Sequence, residues 1–259
     1  MIKVVVTGAA GKMGRAVVEA VTEDVEVELV GAIDQNPSEQ SNLELKVKAG
    51  ISFAGDPAQT IKDTNADVLV DFTNGDSAIT NAEAACENGA NVIIGTTGLS
   101  SGDIEKLDKF ANKTGRNILL APNFAIGAVL MMKVAETIAP YAERAEIIEL
   151  HHDKKIDAPS GTAKMTAENI SLTLDTTPLP KDDEFIARGE RVGDVPVHSV
   201  RLPGLVAHQE VIFGFKGQTL TIRHDSIDRV SFMPGVLLAI KRISEFPGFT
   251  YGLAKYLDL

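Results

Sequence analysis

The feature that most restricts this chain is Val4-Val-Val-Thr-Gly8-Ala-Ala-Gly11-Lys-Met-Gly14, an apolar run that ends in three glycines spaced three apart. A run of β-branched residues suits a buried strand, and the glycines permit a tight turn out of it. Met13, Ala16, Val17, Ala20 and Val21 then recur at helical spacing and predict one apolar helix face. The first 123 residues repeat this unit. Val27 to Ile33, Asp67 to Phe72, Asn91 to Gly95 and Asn117 to Ala121 read as strands. Asp76 to Glu87 and Gly102 to Lys113 read as helices, the second capped by Ser101. Strands alternating with helices predict an α/β fold with a doubly wound parallel sheet.

The pattern changes after Pro122. Ile126 to Ile138 predicts one long helix, and Ala145 to His152, His198 to Leu202, Val211 to Phe215 and Gln218 to His224 predict strands. Lys216-Gly217 is a hairpin turn between the last two. Strands without intervening helices predict a second, α+β domain with a mixed or antiparallel sheet. Thr173 to Val197 is polar and reads as a long surface excursion, while Pro234 to Ile243 is helical again, with Pro234 in its first turn.

Charge and cysteine content exclude several function classes. The chain carries 25 basic and 36 acidic residues, a net charge of −11, which opposes nucleic acid and anionic membranes. No apolar stretch reaches the roughly 18 residues a membrane helix needs. The single cysteine, Cys86, excludes an internal disulfide and suits the cytoplasm; in its alanine-rich stretch it reads as a small core residue. With one cysteine and no H-x-x-x-H pair, no metal site is expected.

Two segments carry chemistry. The glycine turn lets a pyrophosphate approach the backbone, where helix amides and dipole favour its charge. Ala9 stands where the common G-x-G-x-x-G pattern has glycine. Asp34, twenty residues after Gly14, can accept hydrogen bonds from an adenosine ribose. Its charge disfavours a 2′-phosphate and Lys12 offsets this, so NADH and NADPH both stay open. The loops Thr73 to Gly75, Gly95 to Gly98 and Ala121 to Phe124 follow parallel strands and could line one crevice, with Phe124 against the nicotinamide ring. The second segment is Glu149-Leu-His-His-Asp-Lys-Lys-Ile-Asp-Ala-Pro-Ser-Gly-Thr-Ala163. His151 and His152 can donate protons near neutral pH, and Lys155 can hold a carboxylate or act as an acid. Ser160 caps the following helix, whose Gly161 and Thr162 amides would form an anion cradle. His198, His208 and His224 read as structural or surface residues.

These motifs, with Asp71-Phe-Thr73, Pro122-Asn-Phe-Ala125 and His198-Ser-Val-Arg-Leu-Pro-Gly204, resemble in order and over essentially the whole chain the 4-hydroxy-tetrahydrodipicolinate (dihydrodipicolinate) reductase family of lysine and diaminopimelate biosynthesis. The resemblance implies a Rossmann-like domain over residues 1–123, completed by 232–259. It implies a substrate-binding and oligomerisation domain over 124–231, and a hinge between the two. It implies NADH- or NADPH-dependent reduction of a small cyclic dicarboxylate by a cytoplasmic homotetramer. His151 would be the proton donor and Lys155 a second acid that also binds carboxylate. His152, Ser160, Gly161, Thr162 and Thr97 would contact substrate. Gly8, Ala9, Ala10, Gly11, Lys12, Met13, Asp34, Gly95, Thr96, Thr97, Ala121, Pro122, Asn123 and Phe124 would hold the dinucleotide. The residues alone also leave open another two-domain nicotinamide dehydrogenase, or a dinucleotide-binding sensor without turnover.

Overall fold

The computed structural model describes residues 1–259 apart from 36–37, 40, 42–43, 45–50, 52, 97 and 175–188. The chain divides into two compact units, Met1–Phe124 with Phe232–Leu259, and Ala125–Ser231.

The first unit is a Rossmann-like layer of β1 (Ile2–Thr7), β2 (Val27–Ile33), β3 (Phe53–Ala54), β4 (Val68–Asp71), β5 (Asn91–Ile94), β6 (Ile118–Leu120) and β12 (Phe249–Tyr251). Every pairing is parallel, in the order β12-β6-β5-β4-β1-β2-β3. Val4, Val5 and Val6 are fully buried, as are Leu69, Val70, Ile93 and Ile94, because a parallel sheet is covered on both faces. The helices are α1 (Lys12–Glu23), α2 (Pro57–Thr64), α3 (Gly75–Glu87), α4 (Ser101–Thr114) and α7 (Met233–Arg242). Strand order reverses at β1 and β4, so their carboxyl ends, Thr7-Gly8 and Asp71-Phe72, sit at the position where doubly wound sheets bind ligands.

Two local expectations are corrected, and one helix is added. The buried stripe of α1 is Gly14, Val17, Val18 and Val21, with Met13, Ala16 and Ala20 only half-buried. Its centre is rotated because glycine at 14 lets the helix approach the turn. The cap of α4 is Ser100, not Ser101: Ser100 Oγ accepts from Asp103 N at 3.2 Å, and the Asp103 carboxylate accepts from Ser100 N at 3.1 Å. Ser101 would have Ile104 at the reciprocal position, which cannot accept. The helix α2, capped by Asp56 and begun by Pro57, was not expected from apolar spacing, since Ile61 is its one fully buried residue.

The second unit is a mixed sheet of β7 (Arg144–His151), β8 (Glu190–Val192), β9 (Val195–Arg201), β10 (Ala207–Phe215) and β11 (Gln218–Ser226), in the order β11-β10-β7-β9-β8. The hairpin β10–β11 turns at Lys216-Gly217, with Gly217 at φ +76°. Helices α5 (Ile126–Ile138) and α6 (Gly161–Thr173) pack on one face over a core of Ala135, Ala145, Ile147, Ala167, Ile170, Val211 and Phe213. The expected excursion over Thr173 to Val197 is corrected at both ends: α6 runs to Thr173, and β8 and the start of β9 occupy Glu190 to Val197. Residues 175–188 lie outside the described residues. No helix among the described residues is long and apolar enough to cross a membrane.

Candidate active site

The glycine turn is built by steric necessity. Gly8 has φ +73°, and a Cβ there would stand 2.7 Å from the carbonyl oxygen of Phe72. A Cβ on Gly14 would stand 2.0 Å from the carbonyl oxygen of Gly8. Gly11 N donates to Gly8 O at 3.0 Å and caps α1 without any side-chain acceptor, so the first amides of α1 remain open for an anion. Ala9 is buried and donates to Ile33 O; Ala10 N donates to Asp34 Oδ2 at 3.0 Å. Asp34 thus braces the turn as well as facing a cleft of about 550 Å³ lined by Thr7, Gly8, Asp34, Thr73, Asn74 and Asn81. Lys12 is exposed and Met13 half-buried at the start of α1. This shape, with backbone amides at one end and a carboxylate beside it, fits a dinucleotide.

Beside the turn is a residue the sequence reading left unassigned. Asp71 is fully buried at the end of β4. Its carboxylate accepts from Thr7 Oγ1 at 2.7 Å, Thr73 N at 3.0 Å and Thr73 Oγ1 at 2.7 Å, Asn81 Nδ2 at 2.7 Å and Thr96 Oγ1 at 3.1 Å. One acceptor therefore ties together β1, the loop after β4, α3 and the loop after β5. A Cβ on Gly95 would meet the Phe72 ring at 2.1 Å, so the ring would have to move to admit one. Thr96 is buried, and Thr97 lies outside the described residues. Ala121 is buried and donates to Ile94 O; Pro122 and Asn123 are half-buried. The expectation for Phe124 is corrected. Its side chain is 2 % exposed and packs on Phe72, with ring centroids 5.8 Å apart, so it is core and not a surface for a nicotinamide ring.

In the second unit, strand alternation arranges the chemistry. Ala145, Ile147, Glu149 and His151 share one face of β7, the face that carries the core. The row begins apolar and ends in a carboxylate and an imidazole. Glu149, fully buried, accepts from His151 Nδ1 at 2.5 Å, from both terminal nitrogens of Arg201 at 2.8 Å, and from Ser160 N at 3.2 Å. Burial opposes its charge, but the hydrogen bonds from His151, Arg201 and Ser199 prevail and hold the carboxyl down at about 2. Arg201 also donates to the carbonyls of Val200 and Asp157.

The strand ends at His151, and His152 enters a turn closed by Lys155 N donating to His152 O at 3.1 Å. Lys155 Nζ is paired with both carboxylate oxygens of Asp157 at 2.8 Å. That contact is what chiefly keeps Asp157 ionised below the usual carboxylate range. Ser160 is buried and its hydroxyl accepts from Ala163 N at 3.2 Å, so it serves as the expected cap. Gly161 is exposed, and a Cβ there would meet nothing within 4 Å. Thr162 follows, half-buried. The structure therefore gathers His151, Ser160 and the start of α6 around Glu149.

Other candidates sit elsewhere. His198 Nε2 contacts Glu146 at 2.9 Å, His208 Nδ1 contacts Asp225 at 2.6 Å, and His224 packs against Gly127. Burial pushes the Cys86 thiol up to about 11, the opposite of an activated nucleophile.

The family model described as dihydrodipicolinate reductase, N-terminus, matches residues 2–124, and its C-terminus counterpart matches residues 127–257. The chain belongs to the dihydrodipicolinate reductase family. A 4-hydroxy-tetrahydrodipicolinate reductase of Syntrophomonas wolfei is 48% identical over 98% of each chain, and that of Moorella thermoacetica is 45% identical over 99% of this chain and 98% of its own. The solved structure of a dipicolinate-bound dihydrodipicolinate reductase from Paenisporosarcina sp. TG-14 is 37% identical and superposes with a TM-score of 0.84 over 98% of this chain and 99% of that one. A probable dehydrogenase from Thermotoga maritima, 13% identical with a TM-score of 0.69 over 98% of this chain and 92% of that one, shares the fold. Membership of the reductase family makes the chain an oxidoreductase with a nicotinamide dinucleotide site.

Proposed function

We propose that this chain reduces 4-hydroxy-tetrahydrodipicolinate with NADH or NADPH, giving tetrahydrodipicolinate, the oxidised cofactor and water, one proton being consumed. The observation that carries the reading is His151 held by a buried carboxylate at the end of a strand, next to the capped start of α6, in a chain of the reductase family. The cofactor supplies a hydride to an electron-poor ring carbon. Gly8 to Met13, Asp34, Gly95 to Thr97 and Ala121 to Asn123 hold it, through backbone amides and the Asp34 carboxylate. Phe124 contributes as the core wall behind them.

His151 holds the proton delivered to the reduced ring. Lys155 leaves Asp157 to take a substrate carboxylate, and it stands as a second acid. His152 and the amides of Gly161 and Thr162 hold the other carboxylate, with Ser160 keeping the helix start in place. The domains divide the work, residues 1–124 with 232–259 taking the dinucleotide and 125–231 the substrate. We place the enzyme in the cytoplasm, in lysine and diaminopimelate synthesis. We propose a homotetramer built on the second sheet, whose edge strand β11 exposes Leu220. Light scattering after size exclusion tests the assembly, and a monomer would reject it.

The deciding experiment is a coupled assay in which pyruvate, aspartate semialdehyde and the synthase that joins them generate the substrate in place. Oxidation of NADH or NADPH that needs both the synthase and this protein is expected. No oxidation while cofactor still binds would reject the reductase reading in favour of a sensor or a different dehydrogenase.

A further inference from the structure

We propose that Glu149 is a positioning residue for the proton donor: its buried carboxylate fixes His151 as the Nδ1–H tautomer and leaves Nε2 as the nitrogen that exchanges a proton with substrate. This rests on the reading of His151 as the donor. An ionised carboxylate can only accept, so the 2.5 Å contact requires Nδ1 to carry hydrogen in both charge states of the ring. The ring gives up its Nε2 proton and becomes the neutral Nδ1–H form without reorienting.

The geometry makes this contact an outcome of the fold. Glu149 and His151 are two residues apart on β7, so their side chains lie on one face of the strand. Arg201 stands opposite His151 in the parallel pairing of β7 with β9, and its two terminal nitrogens grip both oxygens of Glu149. This bidentate grip prevents the carboxylate from rotating off the imidazole. A further hydrogen bond, from Ser160 N, ties the same carboxylate to the cap of α6. Glu149 therefore sets the donor and the helix start relative to one another.

Among the described residues, Glu149 on its own strand contacts His151, Arg201 stands opposite it on β9, and the Lys155–Asp157 pair lies in the turn that follows. The position opposite on β10 is Ala207, and α6 is capped by uncharged Ser160. Glu149 is thus the carboxylate in direct contact with the ring, and removing it withdraws the acceptor that orients Nδ1.

Histidine-selective ¹⁵N NMR of the wild-type enzyme tests the tautomer without any mutation. The neutral ring of His151, assigned by its loss in His151→Gln, is expected to be protonated on Nδ1; an Nε2–H ring would overturn the proposal. Kinetics of Glu149→Gln form the second arm. Turnover is expected to fall about tenfold to hundredfold, less than the whole value of an acid catalyst. Cofactor affinity is expected to stay unchanged. If His151→Gln retains turnover, the donor assignment itself fails. If His151→Gln loses turnover while Glu149→Gln keeps its rate, only the positioning role is overturned.

Discussion

Alanine at position 14 would place a methyl group 2.0 Å from the Gly8 carbonyl oxygen and 2.7 Å from Gly8 C and Ala9 Cα. Real Cβ atoms essentially never approach closer than 3.0 Å, so the oxygen must retreat by about 1 Å. The clashing atoms are backbone atoms, and no flexible side chain can absorb the shift. Overpacking of this kind costs ~1–3 kcal/mol. Gly8 O is itself the acceptor for Gly11 N, so displacing it distorts the turn that presents amides to the cofactor. If the strain is expressed on binding, Kd for the reduced cofactor rises about 5- to 140-fold, at 1.4 kcal/mol per factor of ten. If it is expressed in the apo fold, Tm falls by about 2–12 °C for a chain of this size. Fluorescence titration with NADH and NADPH, beside thermal melts, reads both. Gly102→Ala is the control: it lies exposed in the first turn of α4, where a Cβ would meet only Ser100 Oγ at 3.8 Å. That variant should keep its Kd and melt no lower than wild type, since alanine favours helix. A Gly14→Ala protein with wild-type Kd and Tm would refute the steric account of the turn.

Asp71→Asn keeps the shape of the hub but turns one of its two acceptor groups into a donor facing hydroxyls and amides. A loss of ~1–3 kcal/mol in urea unfolding and weaker cofactor binding are expected; unchanged stability would mean that the hydrogen bonds to Asp71 are dispensable. Glu149 predicts acid sensitivity. Its carboxyl is held at about 2, below its ordinary 4.5, so its contribution of about 3 kcal/mol is complete above pH 4.5. That contribution is lost as pH falls from about 4.5 to about 2. Unfolding free energy should drop across that window in wild type and less steeply in Glu149→Gln, and equal slopes would contradict the assignment. Asp157→Ala should release Lys155 for substrate. Partly exposed pairs are worth ~0.2–1 kcal/mol, so KM for the dicarboxylate should fall by about 1.4- to 5-fold; a rise in KM would show that Asp157 places Lys155 instead of competing for it.

The parts of this molecule that were legible in its sequence are those whose cause is local. Buried parallel strands are continuous apolar runs, so β1, β2 and β4 to β6 stand out, and α5 matches its expected bounds. By contrast, β12 is three residues long and exists because it pairs with β6, some 130 residues earlier, where Gly248 N meets Asn117 Oδ1. No window of sequence around Phe249 contains that partner. Phe124 fails for a related reason. An aromatic residue after a strand can face ligand or core, and Phe72, which decides the matter, is 52 residues away in sequence. The histidine–lysine segment stood out in the sequence because its residue types are costly to bury without use. Glu149 was half-legible: Ala145, Ile147, Glu149 and His151 alternate, so a carboxylate stands in an apolar row beside an imidazole. What the alternation could not supply was Arg201, whose approach depends on β9 pairing parallel to β7 across 50 residues. A buried carboxylate without its cation would be too costly to keep. The row therefore already demanded a donor from elsewhere in the fold, and Arg201 is the residue that answers it.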